Sequence, residues 1–305
     1  MRALQQEREG VTVQRRPLDP TALPRTAPSP VEDVFRPVLK WAGSKQRLTG
    51  EIASRLPAQI ETYYEPFVGS AAVFIALAVA KRFKRAVLSD KNAELVNVYK
   101  TLQKHVTPLV RVLEQHRAKH SEEYYYEIRS VLPGDLDKVE RAARTIYLNQ
   151  TGFNGLYRVN RAGEFNVPFG RYKNPGICNE PRLRGVARLL KDVEIREADF
   201  ETASADAGPG DAVYFDPPYV PLSPTSFVAY HHQAFDDDEH QRLRDAFAAL
   251  TKRKVRLVLS NSDTPRTREL YKRWQVDPIQ VPRLINSKSD QRGTVGELLV
   301  TNRVR

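Results

Sequence analysis

Apolar and polar residues alternate with changing period, and beyond the first 34 residues the pattern predicts helices and strands in turn. Leu48, Ile52 and Leu56 recur at helical spacing behind Ser44, a candidate N-cap. YYEPF then predicts a strand, AAVFIALAVAKRF an apolar helix, AVLSD a second strand, and a long helix starts near Asn92. Strand, glycine turn, helix, strand and acid in this order predict the first half of a doubly wound α/β sheet.

The middle of the chain departs from this pattern. Residues 147–175, YLNQTGFNGLYRVNRAGEFNVPFGRYKNP, contain the glycines, asparagines and spaced aromatic residues typical of hairpins and turns. We therefore predict a sheet domain in two parts, 35–100 and 192–305, with an inserted domain over 101–191. Residues 1–34 are rich in proline and lack an apolar period, which predicts a flexible tail.

Basic residues concentrate in the predicted insert. The chain has 48 lysines and arginines against 37 acids, a formal net charge of +11. Between Arg141 and Lys191 there are ten lysines or arginines and only two acids, so the positive charge forms a patch. Cations interleaved with aromatic rings suit nucleic acid, because cations meet phosphates and rings stack on bases. We therefore expect a polyanionic partner.

Composition also excludes several classes of protein. The single cysteine, Cys178, rules out an internal disulfide framework and a cysteine-based zinc site. The six histidines show no convincing ligand spacing, so we expect no metal. Since no apolar run approaches the roughly 20 residues of a membrane helix, we expect a cytoplasmic protein with no membrane partner.

Residues 211–219, DAVYFDPPY, end a predicted buried strand on an acid, two prolines and a tyrosine. Pro217 and Pro218 cannot donate a backbone hydrogen bond, so the strand must stop at Asp216. The stop places a carboxylate, unpaired carbonyls and the Tyr219 ring at one sheet edge. Taken alone, the motif fits a simple proline turn equally well.

Gly69 and Asp90 are a weaker signal for a nucleoside cofactor. Gly69 makes the turn after the first strand, and Asp90 ends the next strand, where a Rossmann-like site accepts hydrogen bonds from ribose hydroxyls. The turn lacks the full G-x-G-x-x-G pattern, which disfavours a dinucleotide with a pyrophosphate. A nucleoside without phosphates remains.

A set of motifs stands in order along the chain: KWAGSK at 40–45, EPFVGSAAVF at 65–74, SDKN at 89–92, YLNQTGFNGLYRVN with GEFNVPFGRY, DPPYVPLS at 216–223, AYHHQAF at 229–235 and SNSDT at 260–264. Taken together, these motifs resemble those of the Dam-type DNA adenine-N6 methyltransferases of the D12 class. The resemblance implies a Rossmann-like, S-adenosylmethionine-dependent methyltransferase sheet with an inserted DNA-recognition domain. It also implies methylation of the adenine of duplex GATC by base flipping, with S-adenosylhomocysteine as product and no metal.

The chemistry of the reaction gives the DPPY residues their roles. The lone pair of the adenine N6 is delocalised into the ring, so the nitrogen is a poor nucleophile. The Asp216 carboxylate and the Pro217 carbonyl can each accept one N6 hydrogen and direct the lone pair at the methyl group. Tyr219 can stack on a flipped base, and Pro218 completes the catalytic motif.

The resemblance assigns further site residues. Cofactor binding is expected of Trp41, Lys45, Phe67, Gly69, Asp90, Asp199, Phe200 and Asp216. DNA binding is expected of Lys40, Phe153, Asn154, Leu156, Arg158, Pro168 and Tyr172. Within that set, Phe153 and Asn154 would enter the base stack. Lys40 and Tyr172 would read the outer guanine, Leu156 and Pro168 would touch the thymine methyl, and Arg158 would read the last guanine.

Three positions depart from the family pattern: Ser70 and Ala71 in the glycine turn and Ser44 in the lysine loop replace usual glycines. The alternatives that remain open are a cytosine-N4 methyltransferase, an RNA adenine-N6 methyltransferase and a DNA-binding protein without catalysis. We expect a monomer associated with the nucleoid. The sequence does not indicate whether it acts alone or beside a restriction endonuclease.

Overall fold

The computed structural model describes residues 34–221, 235–282 and 294–302, so the predicted tail lies outside it except for its last residue. The helices of the described part are α1 (Thr49–Arg55), α2 (Ala72–Val79), α3 (Ala93–Lys119), α4 (Glu122–Ser130), α5 (Lys138–Thr151), α6 (Glu180–Leu189), α7 (Phe200–Ala203), α8 (Asp237–Lys252) and α9 (Pro265–Tyr271). The strands are β1 (Ile60–Glu65), β2 (Phe83–Asp90), β3 (Glu194–Glu197), β4 (Ala212–Phe215), β5 (Arg256–Ser262), β6 (Gln275–Pro282) and β7 (Thr294–Thr301). Short 3₁₀ turns lie at Pro133–Asp135 and Phe153–Gly155.

The strands of the described residues form one sheet in the order β3-β2-β1-β4-β5-β7-β6. The first five are parallel, whereas β7 runs antiparallel to both β5 and β6. Every residue of β4 is buried, as expected for a strand covered by helices on both faces. The predicted Rossmann-like α/β sheet is confirmed, and the antiparallel edge was not foreseen.

The first helices show where local sequence decides the structure. Asn92 caps α3, because its Oδ1 accepts hydrogen bonds from the backbone of Glu94 at 3.0 Å and Leu95 at 3.3 Å. The prediction that Ser44 caps the first helix is wrong: α1 begins at Thr49, and the Ser44 hydroxyl lies 2.8 Å from that of Ser70. The residues before α1 instead form turns that direct Lys45 toward the sheet edge.

Helices cover the sheet with a separate apolar core on each face. On one face, Tyr63 of β1 and Leu88 of β2 pack in a cluster with Phe74 of α2. On the other face, Phe215 of β4 packs on Phe247 of α8, with ring centroids 6.4 Å apart. Packed side chains on both faces of the sheet therefore hold the carboxyl ends of the parallel strands in place.

The predicted insert shares the first of these cores. Tyr125 of α4 and Tyr147 of α5 are fully buried and belong to the same cluster as the sheet residues. The predicted boundary between residues 100 and 101 falls within α3, which leaves helical geometry at His105, three residues before Pro108. The division into a sheet domain and an insert stays a prediction.

Candidate active site and nucleic-acid interface

The DPPY sequence leaves the sheet where the strand order reverses. β1 continues toward β2 and β3 on one side, while β4 continues toward β5 on the other. In open α/β sheets, ligands bind in the crevice outside the carboxyl ends of the strands at such a switch point. Asp216, Pro217, Pro218 and Tyr219 stand at this crevice, directly after the last residue of β4.

One oxygen of the Asp216 carboxylate is held from two directions. Lys45 Nζ lies 2.9 Å from Oδ1, and the Ser260 hydroxyl donates to the same oxygen at 2.7 Å. The Lys45 side chain is buried and that of Asp216 is 19% exposed. Oδ2 has no hydrogen-bond or ion-pair partner among the described residues. The carboxylate is therefore fixed on one side and able to accept on the other.

Tyr219 is positioned by its hydroxyl and by its ring. The hydroxyl donates to Glu297 Oε2 of β7 at 2.8 Å, and Lys45 Nζ lies 4.7 Å from the ring centroid. Burial, followed by the charges of Asp216 and Glu297, raises the pKa of Tyr219 well above its ordinary value. The hydroxyl therefore stays protonated and acts as a donor.

The predicted cofactor turn has the geometry expected of a close backbone approach. Gly69 has a φ of +46°, and a Cβ there would lie 3.1 Å from Trp41 Cδ1. Its amide donates to Asp90 Oδ2 at 3.4 Å, while the Asn92 amide donates to Oδ1 at 3.0 Å. Burial raises the pKa of Asp90 to about 6 against the opposing effect of these amides. The structure thus brings together Trp41, Gly69 and Asp90.

The three departures from the family pattern lie side by side. Ser44 and Ser70 hydrogen-bond to each other through their hydroxyls at 2.8 Å. Ala71 has a φ of +58°, the left-handed conformation that glycine adopts without strain, and it precedes the first residue of α2. At Ala71 the backbone therefore keeps a conformation suited to glycine, although this residue carries a side chain.

The predicted contacts of a cofactor adenine form a second group. The rings of Phe67 and Phe200 stack with centroids 5.6 Å apart, and Phe235 lies edge-on to Phe67 at 5.8 Å. Asp199 caps α7 through the Thr202 amide, and Arg242 forms an ion pair with it. Burial alone would raise the pKa of Asp199, but the Thr202 amide and the Arg242 guanidinium hold it below its ordinary value.

Two of the predicted DNA contacts meet beside the loop that follows α5. Lys40 Nζ lies 4.3 Å from the Tyr172 ring centroid and donates to the Gln150 carbonyl at 3.1 Å. A Cβ on Gly155, which has a φ of +61°, would lie 2.5 Å from Lys40 Cβ, so only glycine fits there. Desolvation lowers the pKa of Lys40. The structure thus places Lys40 against Tyr172, and their role in reading DNA stays a prediction.

The same loop presents an aromatic side chain to solvent. Phe153 is 49% exposed and Asn154, also exposed, adopts a left-handed φ of +54°. The Phe153 amide donates to the carbonyl of exposed Pro168 at 2.9 Å, which joins two segments of the predicted insert. An exposed, backbone-anchored phenyl ring is suited to enter a base stack.

Arg158 already has a partner within the protein. Its Nε donates to Asn166 Oδ1 at 2.6 Å and its Nη2 to the Asn166 carbonyl at 2.9 Å. These bonds orient the guanidinium and leave other N–H groups to donate elsewhere. Leu156, half-buried, follows the Phe153–Gly155 turn and packs against the core.

Comparison with known proteins decides the family. The model of the "D12 class N6 adenine-specific DNA methyltransferase" family matches residues 41–284. The chain belongs to this family. It is 42% identical over 275 residues to the Type II methyltransferase M1.LlaDCHI of Lactococcus lactis subsp. cremoris, covering 88% of this chain and 95% of that protein. It is 40% identical over 285 residues to the Type II methyltransferase M.MjaIII of Methanocaldococcus jannaschii, covering 88% and 99%. It is also 36% identical over 267 residues to the DNA adenine methylase of Escherichia coli (strain K12), covering 87% and 94%.

Membership of the D12 class confirms several predictions. The protein is an S-adenosylmethionine-dependent DNA adenine-N6 methyltransferase with a Rossmann-like sheet, and its substrate is DNA. The cytosine-N4, RNA and non-catalytic alternatives therefore fall away. Within the residues that the structure describes, no helix has the length and apolar character required to cross a membrane.

Sequence reasoning missed several residues of this D12-class crevice. Ser260 and Glu297 contact the DPPY residues from β5 and β7, and Arg242 binds Asp199 from α8. Ser260 lies in the quoted segment SNSDT, but nothing in that segment shows that β5 pairs with β4. Phe235 ends a segment that the family resemblance included without assigning it a role.

Proposed function

We propose that this enzyme transfers a methyl group from S-adenosylmethionine to N6 of the adenine in duplex GATC, after flipping that adenine out of the helix. The observation that carries the proposal is the Asp216 carboxylate at the switch point. Lys45 and Ser260 hold its Oδ1. Oδ2 has no partner among the described residues and can therefore accept a hydrogen bond from the substrate. The DPPY backbone supplies a second acceptor at the Pro217 carbonyl.

The catalytic residues act on the amino group of the adenine. Oδ2 of Asp216 and the Pro217 carbonyl accept its two hydrogens, so that the nitrogen lone pair points toward the methyl donor. Bound S-adenosylmethionine supplies a methyl group that its sulfonium has already activated. The Tyr219 ring, fixed by its hydroxyl bond to Glu297, offers a stacking face for the flipped base.

The crevice residues fit the cofactor. Trp41 packs on the glycine turn where a Cβ would be crowded, and buried Asp90 ends β2 beside that turn. Asp90 would hold the ribose hydroxyls, whose donors stabilise its buried carboxylate. Phe67, Phe200 and Asp199 would hold the adenine ring of the cofactor. Lys45 and Asp216 would contact the rest of the cofactor molecule.

The residues expected to bind DNA, which we call the DNA face, would account for base flipping and for the choice of target sequence; they are Lys40, Phe153, Asn154, Leu156, Arg158, Pro168 and Tyr172. Phe153 and Asn154 are exposed on one loop and would fill the space that the flipped adenine leaves. Lys40 with Tyr172 would read the outer guanine, and Leu156 with Pro168 the thymine methyl. Arg158 would contact the last guanine through the N–H groups that Asn166 does not occupy.

The wider organisation follows from the same arrangement. Residues 101–191 would act as the DNA-recognition insert, with their exposed basic side chains directed to phosphates. We propose that the enzyme works as a monomer on DNA in the cytoplasm, at the nucleoid. The chain covers nearly the whole length of relatives named Type II methyltransferases as well as one named DNA adenine methylase, so both a partnered and a solitary role fit.

A series of short duplexes tests the proposal. Single-turnover methylation rates are measured on GATC and on every single-pair variant, and 2-aminopurine replaces the target adenine in a parallel set. We expect GATC to be methylated fastest and the 2-aminopurine fluorescence to rise on binding, because a flipped base is unstacked. Equal rates on all duplexes would refute the GATC assignment, and unchanged fluorescence with normal binding would refute flipping.

A further inference from the structure

A chain of two buried hydroxyl groups lies behind the proposed catalytic carboxylate. The Tyr214 hydroxyl is 2.8 Å from the Ser260 hydroxyl, which is in turn 2.7 Å from Asp216 Oδ1. Tyr214 is 1% exposed and Ser260 is fully buried. Both side chains are therefore shielded from solvent behind the carboxylate.

The direction of these hydrogen bonds follows from the chemistry of the groups. An ionised carboxylate only accepts, so the Ser260 hydroxyl must donate to Asp216. Its oxygen can then accept from Tyr214. Burial, followed by the charge of Asp216, raises the pKa of Tyr214 well above its ordinary value, so this phenol keeps its proton as the donor. The chain runs in one direction, from Tyr214 through Ser260 to Asp216.

Ser260 fixes the carboxylate in a way that Lys45 cannot. Lys45 has a long side chain on the turns before α1, where it also donates to the Gly43 carbonyl. Ser260 has a short side chain in β5, which is paired with β4 on one side and with β7 on the other. A group on a paired strand holds its neighbour more closely than one on a loop.

We propose that Ser260, oriented by Tyr214, is a positioning residue that sets the rotation of the Asp216 carboxylate and so aims Oδ2 at the amino group of the target adenine. The proposal rests on the proposed role of Asp216. With Oδ1 held by Ser260 and Lys45, the carboxylate cannot turn about its Cβ–Cγ bond without breaking a charge-assisted hydrogen bond. Correct aim matters because transfer requires the reacting atoms to be aligned.

Two variants and two matched controls test this role. Ser260→Ala and Tyr214→Phe each remove one hydroxyl of the chain. Ser89→Ala and Tyr271→Phe remove equally buried hydroxyls that have no hydrogen-bond partner among the described residues. Asp216→Ala is included to test the carboxylate itself. The readouts are the single-turnover methylation rate, the cofactor Kd, the DNA Kd and the 2-aminopurine fluorescence of the bound duplex.

We expect Ser260→Ala to lower the single-turnover rate roughly 10- to 100-fold, since a misaligned group costs about that much. Tyr214→Phe should lower it less, by roughly two- to tenfold, because it removes one neutral hydrogen bond from the chain. Both Kd values and the fluorescence should stay within about twofold of wild type. The controls should keep the wild-type rate.

Each outcome decides a different point. If Ser260→Ala keeps the wild-type rate while Asp216→Ala loses it, the positioning role is wrong and the catalytic role of Asp216 stands. If Asp216→Ala also keeps its rate, the proposed function of the carboxylate is wrong. If Ser260→Ala loses activity together with cofactor binding and base flipping, the role of Ser260 is structural and the proposal is wrong. A wild-type rate for Tyr214→Phe would mean that Tyr214 does not orient Ser260.

Discussion

Glu65 at the end of β1 should make the stability of the protein depend on pH. It is 2% exposed and accepts a hydrogen bond from the Tyr63 hydroxyl at 2.8 Å. Burial raises its pKa from 4.5 to about 8. The unfolded chain loses this proton near pH 4.5, whereas the folded protein keeps it until about pH 8. The contribution of protonated Glu65 to the stability of the folded protein is therefore complete below about pH 4.5, and it is lost as the pH rises to about 8.

The magnitude follows from the difference between the folded and unfolded pKa. Each tenfold change in a protonation constant is worth about 1.4 kcal/mol, so the rise of the Glu65 pKa from 4.5 to about 8 corresponds to a full change on the order of 5 kcal/mol. Glu65→Gln keeps a neutral side chain of the same shape that still accepts from Tyr63. We expect the free energy of unfolding of wild type, relative to this variant, to fall by up to that amount between pH 5 and pH 8.

Urea denaturation at a series of pH values measures this difference. Glu61→Gln is the matched control, because Glu61 lies on the same strand but is exposed and pairs with Lys84 at 2.7 Å. Its difference from wild type should change little with pH. A flat difference for Glu65→Gln would mean that Glu65 is already ionised at pH 5 in the folded protein, which would refute the reasoning.

Three further predictions concern the crevice and the DNA face. Tyr219→Phe keeps the stacking ring but loses the bond to Glu297, so its single-turnover rate should fall less than that of Tyr219→Ala; equal losses would argue against stacking. Gly69→Ala should weaken S-adenosylmethionine binding in calorimetry, because of its positive φ and the nearby Trp41, and unchanged affinity would contradict the assigned turn. Arg158→Ala should narrow the preference for guanine at the fourth pair in the duplex series, because arginine can read guanine directly. Lys173, an exposed lysine of the predicted insert, is expected to contact only phosphate, so Lys173→Ala should slow all duplexes alike. A uniform loss for Arg158→Ala would mean that it contacts the backbone.

Much of the order of helices and strands was predictable because short runs of consecutive residues determine each element. The apolar run of α2, the strand that ends at Asp90 and the Asn92 cap each occupy a few consecutive residues. The edge strand β6 was harder, since Pro278 lies within it and proline is tolerated only where a strand has one partner or a free edge. The Ser44 prediction was wrong because a residue can cap a helix only when the residues directly after it are helical, and here turns separate Ser44 from the first residue of α1, Thr49.

The sequence points to individual site residues, but it does not show which other residues contact them. The strand stop and the family motif pointed to Asp216 and Tyr219, whereas the contact of Lys40 with the Tyr172 ring came only from the structure. Ser260 and Glu297 lie 44 and 78 residues from their partners. Only the pairing of β5 with β4 and β7 brings them to the crevice, and no local pattern encodes that pairing.

A map of methylated bases tests the central claim most directly. DNA is sequenced from cells that lack other adenine methylation and express either wild type or Asp216→Ala at equal levels. The account predicts N6-methyladenine at GATC sites with wild type and none with Asp216→Ala. Methylation at a different sequence or on cytosine would contradict the assigned target, and methylation that persists in Asp216→Ala would contradict the assigned catalytic residue.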